Sequence, residues 1–190
     1  AGAGCVYGVK LRPGAVCAFF EPPASRYSDR QSGLVADCGT DAEAMHELMS
    51  RLEAAADDDS AFVAITTWLA PLRRSDDEVS LAVALVERAI RDAKILTVAQ
   101  LSEAAGMGVR ALQKLFRSHV GASPKWVIRR HRLQEVALRI ERGDEPSLTA
   151  LAVALGYADQ AHMSRDFRAA VGRTPSEFQR ACRRAIAAET

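Results

Sequence analysis

The sequence predicts a mainly α-helical chain, with a small N-terminal part of short strands and helices ahead of a larger all-helical part. Three observations carry this. Apolar residues recur at helical spacing through most of the chain from Thr40 onward. The strand-like signals, short apolar stretches broken by Gly and Pro, lie within residues 1–36. From Thr97 the sequence repeats itself at an offset of 50 and then 51 residues.

Taken in order, VYGVKL and AVCAFF read as short strands, with PGA and EPPAS as turns. TDAEAMHELMSRLEAA reads as a helix capped by Asp41, with Met45, Leu48, Met49 and Leu52 on one face. Asp57-Asp58-Asp59-Ser60 ends it and caps a helix over 61–72, and Asp76-Asp77-Glu78 opens a third over 79–93. Acidic clusters suit helix N-termini, where the macrodipole is positive, and these read as solvated caps. The chain lacks an initiator Met and opens on AGAGCVYGVKL without a cap or turn signal, so residue 1 is expected to lie inside a longer chain. The expected division is 1–75 and 76–190.

The repeat is the strongest signal. VAQLSEAAGM at 98–107 matches LTALAVALGY at 148–157, and FRSHVGASPKWV at 116–127 matches FRAAVGRTPSEF at 167–178. Each copy reads as helix, tight turn, helix. In the first, Thr97 caps, Val98, Leu101 and Ala105 form a face, Gly106 takes the left-handed position after the helix, and Val109, Leu112, Leu115 and Phe116 follow at helical spacing. In the second, Ser147 caps, Leu148, Leu151, Ala152 and Leu155 pack, Gly156 turns, and Met163 and Phe167 pack. Between the copies, Ser123-Pro124 starts a long helix, with Ser as cap and Pro in the first turn. Leu133, Val136, Ala137 and Ile140 form its buried stripe and Gly143 ends it. Such a helix is about 27 Å long at ~1.5 Å per residue.

Composition sets the frame. At 48% apolar and 26% charged residues the chain has enough apolar content for a core. No apolar run approaches the ~18 residues of a membrane span, and no signal peptide is visible. The net charge of +1 conceals an asymmetry: residues 97–190 hold 15 Lys/Arg against 9 Asp/Glu, and residues 1–96 hold 10 against 15. Only the C-terminal half is suited to a polyanion. Cys5, Cys17, Cys38 and Cys182 are scattered without metal-ligand spacing or a CxxC pair, and read as small packing residues of a reducing, cytoplasmic protein. His46, His119, His131 and His162 read as isolated surface or packing residues, although His162 lies where it can reach a base or phosphate. Neither a catalytic set, a phosphate loop, a metal site nor a cofactor site stands out, and no enzyme is expected.

One helical hairpin is as consistent with plain packing as with a helix-turn-helix whose second helix enters the major groove of DNA. The outward residues shift the balance. Arg110, Gln113, Lys114 and Arg117 face outward in the first copy, and Gln160, Ala161, Ser164, Arg165 and Arg168 in the second. Arg and Gln read guanine and adenine edges bidentately, whereas a merely solvated face would interleave Glu. The long helix is the right length to hold two such helices about one DNA turn, ~34 Å, apart. Arg129, Arg130 and Arg132 near its start read either as phosphate contacts or as a solvated face.

GYADQAHMSRDFRAAVGRTPSEF at 156–178, with LSEAAGMGVRALQKLFRSHVGASP before it, resembles the AraC/XylS family of bacterial transcription regulators over about residues 80–184. The resemblance implies a seven-helix domain of two helix-turn-helix units that binds double-stranded DNA in two adjacent major grooves, through recognition helices at about 108–118 and 159–169. It implies RNA polymerase as a partner and activation as the usual outcome. By position, Arg110, Gln113, Lys114, Gln160, Ala161, Ser164 and Arg165 are base-facing. Arg117, Arg129, Arg130 and Arg168 are the expected phosphate contacts. Two departures stand out: Gly108 replaces a capping Ser, and Ala161 can offer a base only contact with a thymine methyl. GVKLRPGAVCAFFEPPASRYSDR resembles the closing segment of an N-terminal sensor-like domain, which implies a small-molecule effector acting through a region before residue 1. Two other readings stand beside it: a thiol-dependent alkyl-transfer repair protein, which needs an activated thiolate, and a protein-interaction module that has lost DNA binding.

Overall fold

The computed structural model describes residues 5–31, 33–74, 76–143 and 147–188. Residues 1–4, Ser32 and Ser75, which belong to the expected N-terminal part, lie outside them. Among the described residues run α1 (Leu34–Cys38), α2 (Ala42–Glu53), α3 (Asp58–Leu69), α4 (Asp77–Arg91), α5 (Val98–Ala104), α6 (Val109–Leu115), α7 (Pro124–Arg142), α8 (Leu148–Ala154), α9 (Gln160–Val171) and α10 (Pro175–Ala188). None of them is long and apolar enough to cross a membrane. The residues group into two compact bodies: residues up to Glu87 with Gly108–Ser123, and Arg88–Met107 with Pro124 onward.

In the first body, the strands expected at VYGVKL and AVCAFF do not form; no strand occurs among the described residues. A strand needs a neighbour for its backbone groups, and Val6, 96% exposed, has no neighbouring strand among them. Gly14 instead turns the chain at φ +90°, where an added Cβ would come within 3.0 Å of the Val83 backbone nitrogen on α4. The close approach seats Val16–Ala18 as a 3-10 turn, and Cys17 and Ala18 enter a small core with Ala24 and Val79. A second 3-10 turn, Ala24–Tyr27, packs against Phe116–Val120, the π-helical turn that ends α6. Two side chains tie this packing: the Cys17 thiol donates to the Ser118 carbonyl (3.3 Å), and the Ser28 hydroxyl to the Gly121 carbonyl (3.0 Å).

The helical caps follow their residue types. Asp41 accepts from the Ala44 amide at 2.7 Å at the start of α2. Asp57 and Ser60 form a reciprocal capping box on α3. Asp76 accepts from the Glu78 amide at 2.7 Å where α4 begins. The helix expected over 61–72 is α up to Leu69 and finishes as a 3-10 turn, Ala70–Leu72. On α2 only Leu48 is buried, and Met49, expected on the same face, is largely exposed.

The second body is built on α7. Leu133, Val136 and Ile140 are buried against Leu151, Ala152 and Leu155 of α8 and Met163 and Phe167 of α9, with Ala137 partly buried beside them. Phe178 on α10 closes this core, its ring 5.6 Å from that of Phe167. α7 starts on buried Pro124 and stops at Gly143, whose φ is +71°. Within this body α5 is capped by a Thr97–Gln100 box, and the Arg88 guanidinium donates to the Ala104 carbonyl at its other end (2.6 Å).

Candidate nucleic-acid interface

Each copy of the repeat presents one helix whose inner residues are fixed by burial and whose outer residues are thereby turned to solvent. On α6, Leu112, Leu115 and Phe116 are buried. Arg110, Gln113, Lys114 and Arg117, at i, i+3, i+4 and i+7, are all exposed on one face. No side chain of the four forms a hydrogen bond or ion pair among the described residues. Val109, expected to face inward, is 40% exposed; it sits in the first turn, before the helix reaches its core partners.

On α9, Met163 and Phe167 are fully buried, which places Ala161, Arg165 and Arg168 on an exposed face. With Phe116 matched to Phe167, Arg110, Gln113, Lys114 and Arg117 fall opposite Ala161, Ser164, Arg165 and Arg168. The two exposed faces therefore share one register. Gln160 and Ser164 are half-buried at the edge of the face. The Thr149 hydroxyl donates to the Gln160 side-chain oxygen at 2.7 Å, so the amide is held by its acceptor end.

Not every expected cation is free. Arg129 forms a bidentate pair with Asp166, Nε and Nη2 each 3.0 Å from a carboxylate oxygen. This neutralises the acid in the middle of α9 and fixes the guanidinium that the sequence marked for phosphate. Arg130 stays exposed and unpaired among the described residues, as does Arg168. Arg132, read above as a candidate phosphate contact, points inward instead. Its guanidinium lies 3.9 Å over the Tyr157 ring, with Nε and Nη2 buried. A buried aromatic face attracts a cation whose stem already lies along apolar surface. Burial also pushes the Tyr157 phenol up, Arg132 pulling the other way.

The histidines fall at the surface and packing positions expected of them, two of them close to acids. His162 rests edge-on against Tyr157 at 5.4 Å, its Nε2 4.0 Å from Asp166. His119 is buried, its Nε2 3.5 Å from Glu78 and 3.8 Å from Asp76, the acids that open α4. Cys17 and Cys38 are buried and Cys182 packs beside the second core, but Cys5 is exposed. Burial raises the thiol pKa of Cys17 and Cys38, which disfavours thiolate.

Sequence reasoning passed over one feature. Arg168, Arg173, Arg180 and Arg184 line a groove of about 490 Å³ between the end of α9 and α10, with Gly172, Glu177 and Ala181. The i, i+4 pair of arginines at 180 and 184 was the available signal.

Comparison with known proteins places these helices in context. Residues 101–181 match the family model described as a helix-turn-helix domain. A putative AraC-like transcription regulator of Streptomyces antibioticus is 30% identical over 136 residues, 72% of this chain and 41% of that protein. The XylDLEGF operon transcriptional activator of Pseudomonas putida is 30% identical over 94 residues, 48% of this chain and 29% of that protein. The transcriptional activator RhaS of Pectobacterium carotovorum is 30% identical over 79 residues, 42% of this chain and 28% of its own length. The matched stretch thus spans less than half of each of these relatives. No solved structure matches the chain significantly.

Proposed function

This chain belongs to the AraC/XylS family of DNA-binding transcription regulators, and from that premise we propose that it reads two successive major grooves of duplex DNA, one with α6 and one with α9. The observation that carries the reading is the shared register of two exposed cationic faces on one repeated scaffold. In this reading Arg110, Gln113 and Lys114 read one half-site, and Gln160, Ala161, Ser164 and Arg165 the other. Arg and Gln do so by hydrogen bonds to base edges, Ala161 by apolar contact. Arg117, Arg130 and Arg168 contact phosphates, and Arg129 joins them through its outer guanidinium edge while holding Asp166.

Residues 76–190 act as the DNA-binding domain and 1–75 as the end of a sensor-like domain. An effector acts through the region preceding residue 1, and activation follows from contact with RNA polymerase in the cytoplasm. The chain works by binding, not catalysis. At Cys17 and Cys38 burial raises the thiol pKa, the opposite of what alkyl transfer requires of a thiol.

Fluorescence anisotropy against duplexes from the gene's own promoter region tests this. Binding with a steep inverse salt dependence is expected. Arg165→Ala relaxes discrimination in one half-site by about 1–3 kcal/mol while leaving random-duplex binding nearly unchanged. Absent or salt-insensitive binding sinks the reading. Equal losses on specific and random duplexes would reassign Arg165 to the backbone.

A further inference from the structure

The arginine groove between α9 and α10 has no role in the reading given so far, apart from Arg168. Four guanidiniums line it with a single carboxylate, Glu177. No side chain of the four forms a hydrogen bond or salt bridge among the described residues. Glu177 is itself committed to the start of α10. One of its oxygens accepts from the Thr174 amide at 2.8 Å and from the Thr174 hydroxyl at 2.9 Å, while its own amide donates to that hydroxyl at 3.2 Å. These bonds hold the Glu177 carboxyl below the usual carboxylate range, with Arg168 and Arg180 adding to the effect. The cap occupies the carboxylate and leaves the forks of the arginines open to solvent.

Unpaired like charges gathered in one groove repel each other, and an anion there relieves the repulsion. The planar fork of arginine matches a phosphate bidentately. The groove also has no apolar anchor, because its uncharged lining is Gly172 and Ala181. Protein partners usually dock on buried aromatic or aliphatic anchors, so this surface suits a sugar-phosphate backbone better than a protein. Its position agrees. Residues 161, 165 and 168 fall on one face of α9 by helical spacing, and Gly172 follows as its C-cap, so the groove continues the face that carries Arg165.

We propose that the groove lined by Arg168, Arg173, Arg180 and Arg184 is a phosphate clamp, gripping the DNA backbone that flanks the bases facing α9. The inference rests on α9 being a recognition helix. It adds Arg173, Arg180 and Arg184 to the interface, so α10 becomes part of the binding surface rather than only its support.

The test is a salt titration of duplex binding by the full chain, wild type and Arg180→Gln/Arg184→Gln, on a promoter duplex and on a random duplex. The clamp predicts that the slope of log K against log salt becomes shallower by about 2. Affinity falls by the same factor on both duplexes, with an unchanged thermal melt. Arg180→Lys/Arg184→Lys keeps the wild-type slope. A Gln variant with the wild-type slope overturns the clamp while leaving the recognition helices in place, and so does a folded Lys variant that loses the slope. The first of these outcomes is also what an acidic protein partner at this groove would give. Wild-type protein that binds neither duplex at low salt overturns the recognition reading and the clamp with it.

Discussion

The two helix-turn-helix units are alike where they are buried and different where they are exposed. Both turn on a left-handed glycine, Gly106 at φ +61° and Gly156 at φ +68°. Both close the turn with the same pair of backbone bonds: Gly106 to Glu103 and Met107 to Ser102 in one, Gly156 to Val153 and Tyr157 to Ala152 in the other. Ala158 is the extra residue of the second unit, placed between its turn and its N-cap. The caps then fall in register, but Asp159 accepts from the His162 amide at 2.6 Å while Gly108 has no side chain to offer. At the far end the Gly121 amide bonds five residues back to Phe116, in a π turn, while the Gly172 amide bonds four back to Arg168. Glycine turns and buried aromatics thus hold the repeat together, and the variation collects in caps and helix ends.

The largest expected effect tests the buried half of this comparison. Phe116 and Phe167 are both fully buried, at matched positions. Phe→Ala at either should cost about 3–5 kcal/mol, read from urea denaturation. The milder Phe→Leu pair should give smaller losses, again similar at the two positions, if the Ala variants do not fold. A loss at Phe116 under about 1 kcal/mol would mean that the two scaffolds are equivalent in sequence only.

The turn glycines should separate next. A Cβ at Gly156 would lie 2.7 Å from the Leu96 Cδ1 and 3.2 Å from its Cβ, whereas one at Gly106 meets nothing within 4 Å. Both Gly→Ala changes carry the left-handed penalty of about 1–2 kcal/mol. Gly156→Ala should exceed Gly106→Ala by about a further 1 kcal/mol from overpacking. Equal losses would mean that Leu96 swings aside freely.

How far the sequence was legible follows the same division. The helices from α2 to α9, the caps at Asp41, Asp57, Thr97 and Ser147, and the stripe of α7 could be read, because each rests on spacing or on a side chain bonding its own turn. The strands could not. VYGVKL has strand composition, but composition does not supply a neighbouring strand, and Gly14 turned the following segment onto α4. At the candidate interface the outward faces followed from periodicity. What escaped were contacts between residues far apart in sequence. Asp166 takes Arg129 across 37 positions, Tyr157 draws Arg132 inward, and Ser118 and Gly121 receive the N-terminal turns.

The cap difference predicts a smaller asymmetry. Asp159→Ala removes the bond to the His162 amide and should destabilise the second body by about 1 kcal/mol. If α9 reads DNA, the same change should weaken binding to promoter duplex chiefly through one half-site. Protein melts and half-site-mutated duplexes would separate the two effects; an unchanged melt would show that water caps α9 equally well.

The smallest effect runs the other way. Gly108 sits at φ −67° and ψ 150°, extended backbone that any residue adopts, and a Cβ there meets nothing within 4 Å. Glycine is therefore not required by the fold at this position, unlike at Gly156. Gly108→Ser supplies the missing acceptor for the first turn of α6 and should stabilise the first body by a few tenths of a kcal/mol. Replicate urea midpoints would resolve such a gain. Ser is the informative choice because Asp adds a negative charge next to Arg110, which would weaken duplex binding for a reason unrelated to capping. A gain in stability with unchanged duplex affinity would make the weak cap of α6 a dispensable difference between the units. A gain in stability with lost affinity would mean that the loosely held first turn of α6 adjusts when it meets DNA, and that the two recognition helices differ in function as well as in capping.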